Sequence, residues 1–505
     1  MRAGLKSFTP AIRYWNPPGL PSALIVSATR TPAKAASFNP TPILAQVLFC
    51  VLLTGGVLAT GRARLAGIVF WGALGLILVR QFVWGGSLKV LCLLIGTAPF
   101  INLLRGFALY NIVILLFVAA LTYHMISRPG EMRLIWRKAS LLKPMFVCIA
   151  AFYALSLFNT RDYSVNLRLF ELALTLMVLL ILGQNPVALG TALTANLVSA
   201  WVVGFSLLSQ MNSSSVARLG MIVMDGQTLG NPIQLGLPLA FGFLALIIDR
   251  GYWLNLQHRP VLRYCMLVPT LPLLALTTSR SAWLVAAGGI MVTFLAGKKQ
   301  RIIMLMTIAL GFLAFQAVLL SPYGKSLKKG LDRTFSERRT ASQRTSGRSD
   351  QWRVSYYAFT ESPVTMLIGH GPGRGAEVYA DYSHEVGGVK YAVGKKVALH
   401  SLFMQVAVEA GCLGLSLLGL WLFLIFIRIT RQTLLHRAML PLACYFGYLF
   451  VVITVSGNDV NSGILLGLAL LGSMVVPAQT TKRQAMRVQL EGRARLNHKT
   501  AFSAT

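Results

Sequence analysis

His400–Arg428 reads HSLFMQVAVEAGCLGLSLLGLWLFLIFIR, an apolar run in which Glu409 is the one acidic residue and Arg428 the first basic one. About 20 such residues cross the hydrocarbon core of a bilayer as a helix. No water is available there to satisfy backbone N–H and C=O groups, so a crossing segment must be a helix or a strand of a closed barrel. Apolar and polar residues do not alternate here with a period of two, which excludes the barrel.

Comparable apolar stretches occur on both sides of this run. They are expected to start near Pro42, Leu65, Leu88, Phe107, Pro144, Val165, Ala188, Pro232, Val261, Ser281, Ile302, Ala438 and Val460. Of 505 residues 55% are hydrophobic, and the mean hydropathy is +0.64. The expected fold is an all-α integral membrane protein, a polytopic bundle of about 12 to 14 transmembrane helices. The six cysteines, Cys50, Cys92, Cys148, Cys265, Cys412 and Cys444, lie in or beside apolar stretches with no CxxC spacing, and read as small membrane-helix residues.

The net charge of +32 would suggest nucleic acid in a soluble chain. Here the basic residues gather at the ends of apolar stretches, where they set topology, and no nucleic-acid partner is expected. With the amino terminus inside, Arg133, Arg137, Lys138 and Lys143 share one inner joint, and Lys298, Lys299 and Arg301 another. Arg428, Arg431 and Arg437 also fall inside, while Arg62 and Arg64 dissent. The chain then divides into a basic inner tail (1–40), amino-terminal membrane helices (41–209), a core with an arginine-bearing outer segment (210–320), a large outer loop (321–399), carboxyl-terminal helices (400–478) and a second basic tail (479–505). The amino-terminal tail could also touch anionic membrane lipids.

A structureless loop as long as 321–399 is unusual unless it carries function or is disordered. Within it Arg348–Phe359 is expected to be a short helix, capped by Ser349, stopped before Pro363, with Trp352, Tyr356 and Phe359 on one stripe lying across the mouth of the bundle. Outer segments should be poor in Lys and Arg, yet these hold Arg218, Arg280, Arg338, Arg339, Arg344, Arg348, Arg353 and Arg374. The arginine fork chelates phosphate oxygens and keeps its charge, so the excess asks for an anionic partner such as a diphosphate at the membrane surface; for any single arginine, solvation or headgroup contact is the competing reading. Arg280 is the sharpest case, set in LTTSRSAWL (Leu276–Leu284) between two apolar stretches. It is either functional or snorkelling to the interface.

His400 follows the basic loop directly and could draw a proton from a hydroxyl near neutral pH, or simply be polar at a helix end. Glu409 reads as a structural hydrogen-bonding residue. Trp352 could stack on a sugar ring or pack the loop helix. GHGPGRG (Gly369–Gly375) lacks the Lys-Ser/Thr of a phosphate loop and reads as tight turns. The loop's acids form no DxD or HExxH pattern, so no metal is expected.

These pieces stand in an order that resembles the O-antigen ligase and O-antigen polymerase superfamily. They are Arg218 followed by Gly230-Asn231-Pro232; T-x-S-R at Thr277–Arg280; Gly347, Arg348, Trp352, Pro363 and GHGPG; and H-x-x-x-x-Q-x-x-x-E-x-G at His400, Gln405, Glu409 and Gly411. Ser401 replaces the asparagine common in the family, and Met404 the leucine. The resemblance runs from about Arg218 to Leu415. It implies a bacterial inner-membrane, multi-pass, GT-C-like glycosyltransferase, inverting and without metal or cofactor, acting at the periplasmic face. Its donor would be an undecaprenyl-diphosphate-linked glycan, and its acceptor lipid A core (a ligase) or a lipid-linked repeat (a polymerase). In that scheme Arg218 and Arg280 hold the diphosphate, Arg348 assists, and His400 activates the acceptor. Trp352, Arg338, Arg339 and Gln405 are the further substrate-binding candidates. A transporter or flippase of lipid-linked sugars is the alternative from another class, and predicts two similar halves with paired broken helices.

Overall fold

The computed structural model describes residues 38–474, apart from 105–109, 139–142, 145–146, 148–163, 214–218, 225–226, 230, 295–297, 336–344, 346, 437–438 and 455–459. In chain order the helices are α1 (Thr41–Ala59), α2 (Ala63–Arg80), α3 (Ser87–Gly96), α4 (Ala98–Leu103), α5 (Tyr110–Ser127), α6 (Pro129–Lys138), α7 (Ser164–Leu182), α8 (Pro186–Ser213), α9 (Pro232–Ile247), α10 (Pro260–Leu276), α11 (Arg280–Phe294), α12 (Lys298–Leu320), α13 (Gly324–Phe335), α14 (Arg348–Phe359), α15 (Pro363–Ile368), α16 (Gly375–Tyr382), α17 (Leu402–His436), α18 (Leu440–Thr454) and α19 (Val460–Met474). Among the described residues four segments, Thr41–Ala59, Ala63–Gly85, Pro186–Leu208 and Leu402–Thr433, are long and apolar enough to cross a membrane, and nine shorter apolar helices accompany them. The chain is an all-α polytopic membrane protein. The stretch expected from Pro144 lies almost wholly outside the described residues.

One element was not expected. Between α8 and α9, the strands β1 (Ile222–Met224) and β2 (Gln227–Leu229) pair as a short antiparallel ribbon.

Small residues set the close packing of the bundle, as they do where helices meet in lipid. A Cβ on Gly447 of α18 would come 2.9 Å from Val285 of α11, and one on Gly288 of α11 would come 2.5 Å from Phe450 of α18. Along α17, by contrast, Leu413, Leu417, Leu420, Leu424 and Ile427 form an exposed stripe at helical spacing, a face suited to lipid tails. Helix α13 turns Leu327 inward and leaves Lys325, Lys328 and Lys329 exposed.

Helices α14 to α16 and the turns after them build a cap with its own small core of Val354, Ala358, Val378, Tyr379, Leu399 and Val408. Two expectations about α14 need correction. Its cap is Gly347, in the left-handed conformation at φ 81°. Ser349 lies inside the first turn, where its N–H donates to the Thr345 hydroxyl at 3.1 Å. The packed face is Gln351, Val354, Ser355 and Ala358, whereas Tyr356 is exposed. That face carries no aromatic ring, and through it Val354 and Ala358 share a core with Val408 of α17.

Candidate functional site

The sharp turn between α10 and α11 presents Arg280. Thr277 ends α10 by donating its hydroxyl to Leu274 O at 2.7 Å. Thr278 then takes φ 46°, a left-handed conformation that costs a β-branched residue on the order of 1–3 kcal/mol and is held only by its surroundings. Its hydroxyl is buried with no hydrogen-bond partner among the described residues. Ser279 restarts the helix, its Oγ accepting the N–H of Ala282 at 3.4 Å. Arg280 is thereby the first residue of α11 and is half-buried. A helix amino terminus carries about half a positive charge, so guanidinium and helix end favour the same anion.

Two neighbouring segments hold this turn. Gly236 of α9 lies against it so closely that an added Cβ would sit 2.7 Å from Ala282 and 3.1 Å from Ser279. Leu219 donates its N–H to Leu276 O at 3.2 Å. Arg218 itself lies outside the described residues, but the residue after it is bonded to the residue before Thr277. Asn231 caps α9, accepting from Ile233 N at 3.0 Å, with Pro232 at the first helical position. Asn231 and Pro232 thus form a helix start, with the cap residue and the proline each in its favoured place.

His400 enters from the cap. Its N–H donates to Gln351 Oε1 at 3.2 Å, which ties it to α14. Ser401 follows as the start of α17: its hydroxyl accepts from Met404 N at 3.4 Å and donates to Val452 O on α18 at 3.4 Å. Two residues on, the Thr454 hydroxyl lies 2.8 Å from that of Ser281 on α11. A short path of contacts, His400-Ser401, Val452-Thr454, Ser281-Arg280, therefore fixes histidine and arginine at the same end of the bundle. The amino terminus of α19 meets that of α9 there too, through Asn461 Nδ2 and Gln234 O at 2.7 Å.

The other expected residues divide. Arg348 opens α14, half-buried, after Gly347, whose missing side chain admits the Tyr391 ring. Trp352 is half-buried, and its indole N–H has no partner among the described residues. Gln405 is buried with its amide donating to Glu409 Oε1 at 3.2 Å. The same carboxylate oxygen accepts from Gly375 N at 3.2 Å, the structural role read for Glu409. Arg338 and Arg339 lie outside the described residues. Asp350 and Gln351 carried no sequence signal beyond following Arg348. Asp350 is buried and accepts the N–H groups of Lys390 and Tyr391 at 3.0 and 3.1 Å, which anchors the loop leading to His400.

At the rim, Glu377 receives Lys396 Nζ at 3.0 Å and Arg374 Nε at 3.5 Å. The Lys396 hydrogen bond, above all, holds its carboxyl below the ordinary range.

Residues 265–419 match the family model described as O-Antigen ligase, while no curated protein matches the chain. The matched segment contains the Thr277–Arg280 turn, the cap and His400–Gly411, so the similarity to that family falls on the part of the chain that carries the candidate site.

Proposed function

We propose that this protein transfers a glycan from undecaprenyl diphosphate to an acceptor sugar hydroxyl at the periplasmic face of the bacterial inner membrane. The observation that carries this reading is the path of contacts joining His400 to Arg280. A base and an anion-binding cation at one end of a membrane bundle suit a reaction whose donor is anchored in lipid and whose leaving group is a diphosphate.

In a single displacement, His400 takes the proton of the acceptor hydroxyl and the oxygen attacks the anomeric carbon. The bond from that carbon to the diphosphate oxygen breaks, with inversion. Arg280, Arg218 and Arg348 neutralise the charge that grows on the departing diphosphate, a placement that favours the transition state over the ground state. Fixed cations supply here what a metal supplies elsewhere. Of the two acceptors the reading favours lipid A core, making the chain a ligase.

Two experiments test this. Detergent-purified protein given lipid-linked glycan and acceptor should form product without a sealed compartment, which a transporter cannot do. A deletion strain should accumulate long lipid-linked polymer; single repeats instead would mark a polymerase.

A further inference from the structure

The Gln351 carboxamide is fully buried and only half used. Its oxygen accepts from His400 N at 3.2 Å, but its Nε2 has no hydrogen-bond partner among the described residues. A buried donor left unpaired costs about 1–3 kcal/mol, and such groups are uncommon enough to need a reason. Nothing in the cap's packing supplies one. On the helix face that Gln351 shares with Val354, Ser355 and Ala358, a leucine or methionine would fill the same volume but leave the His400 N–H without this acceptor.

The amide is rigid and planar, so bonding its oxygen to the His400 backbone also fixes where its nitrogen points, close to His400. The nitrogen is itself buried, so a sugar seated at His400 would reach it by displacing the side chains that cover it. An uncharged donor suits the neutral oxygens of a sugar, whereas the diphosphate has arginines. Because Nε2 makes no bond to the described residues, a sugar oxygen that reaches it breaks none of theirs.

We propose that Gln351 binds the acceptor sugar, donating Nε2 to an oxygen beside the attacked hydroxyl while its own oxygen positions His400. This rests on the transfer reading above and adds a residue to its acceptor side. Gln351→Glu retains an oxygen for His400 N but loses the donor; Gln351→Met loses both.

The test is steady-state transfer by the full chain in detergent, varying a lipid A core oligosaccharide and an undecaprenyl-diphosphate glycan in turn, with thermal midpoints measured alongside. Gln351→Glu should raise the acceptor KM about tenfold, one hydrogen bond in free energy, with the donor KM unchanged. Gln351→Met should also lower kcat. Among single-deoxy acceptors, one should cost the wild type about tenfold and cost Gln351→Met nothing further. A rise confined to the donor KM, a wild-type acceptor KM in Gln351→Glu, or a loss of kcat that only follows a lowered midpoint would overturn the assignment. Absence of transfer by the wild type would instead remove the parent reading.

Discussion

His370 donates its backbone N–H to the carbonyl of Val408 at 2.7 Å, and Gly371 does the same to Glu409 at 3.1 Å. In an unbroken helix those carbonyls would accept from residues 412 and 413. Helix α17 breaks at Gly411, with φ 61° and ψ −159°, and the turn of the cap takes over the freed acceptors. The Gly-His-Gly turn and the Glu-x-Gly element, 40 residues apart in sequence from Gly369 to Glu409, are two halves of one joint. The joint fixes the cap over the start of α17, where His400 stands.

Substituting either glycine of that joint should open it. A Cβ at Gly411 would lie 2.4 Å from the Leu367 carbonyl carbon, and one at Gly369 equally close to Glu409. Both glycines also combine positive φ with extended ψ, a region nearly confined to glycine that costs alanine on the order of 1–3 kcal/mol before any overlap is counted. Gly411→Ala and Gly369→Ala should lower the thermal midpoint in detergent and expose the cap to protease. Unchanged midpoint and protease pattern in both would remove the joint from the account.

The Glu409 carboxylate should matter for folding through its hydrogen bonds. Glu409→Ala leaves Gly375 N and the Gln405 amide without that acceptor in a buried place, a loss of about 1–3 kcal/mol for each. Glu409→Gln keeps one oxygen and should fall between alanine and wild type in thermal unfolding. Equal midpoints for the two variants would contradict this.

Acid should loosen the rim of the cap. The Glu377 carboxyl is held below its ordinary value of 4.5 by Lys396 and Arg374. Its contribution is therefore fully present above that pH and fades as pH falls through the lowered folded value. Lys396→Met should flatten this part of the acid profile, measured as cap proteolysis between pH 6 and pH 3. The same acid dependence with and without Lys396 would count against the pair.

The hydroxyl pair Ser281 and Thr454, 2.8 Å apart, joins the arginine helix to the helix that holds Ser401. A double-mutant cycle of Ser281→Ala and Thr454→Val should give a coupling of about 0.5–1.5 kcal/mol, as for other hydrogen bonds between membrane helices. A coupling of zero would mean that the two helices are aligned by apolar packing alone.

Helix positions and the membrane fold were legible because length and hydropathy decide them: most observed helices start within a few residues of their expected places. The break at Thr277–Arg280 and the glycine turns were legible from local chemistry, and Glu409 was legible as a structural hydrogen-bonding residue although its partner Gly375 lies 34 residues away. The packed face of α14 was misread because aromatic size suggested a stripe, and nothing local reveals that the partner helix demands small residues. The Ser349 cap failed for a similar reason, Thr345 and Gly347 having taken the capping work. Gln351 was invisible, its meaning lying in a bond to a residue 49 positions away. The β1–β2 ribbon is too short to announce itself.

The central claim is that His400 and Arg280 act together on one lipid-linked substrate. Its most direct measurement is glycan transfer by purified wild type, His400→Ala and Arg280→Ala at matched protein and matched thermal midpoint. The account predicts losses on the order of a hundredfold or more for each, with insertion and yield unchanged. Near-normal transfer by either variant would contradict it.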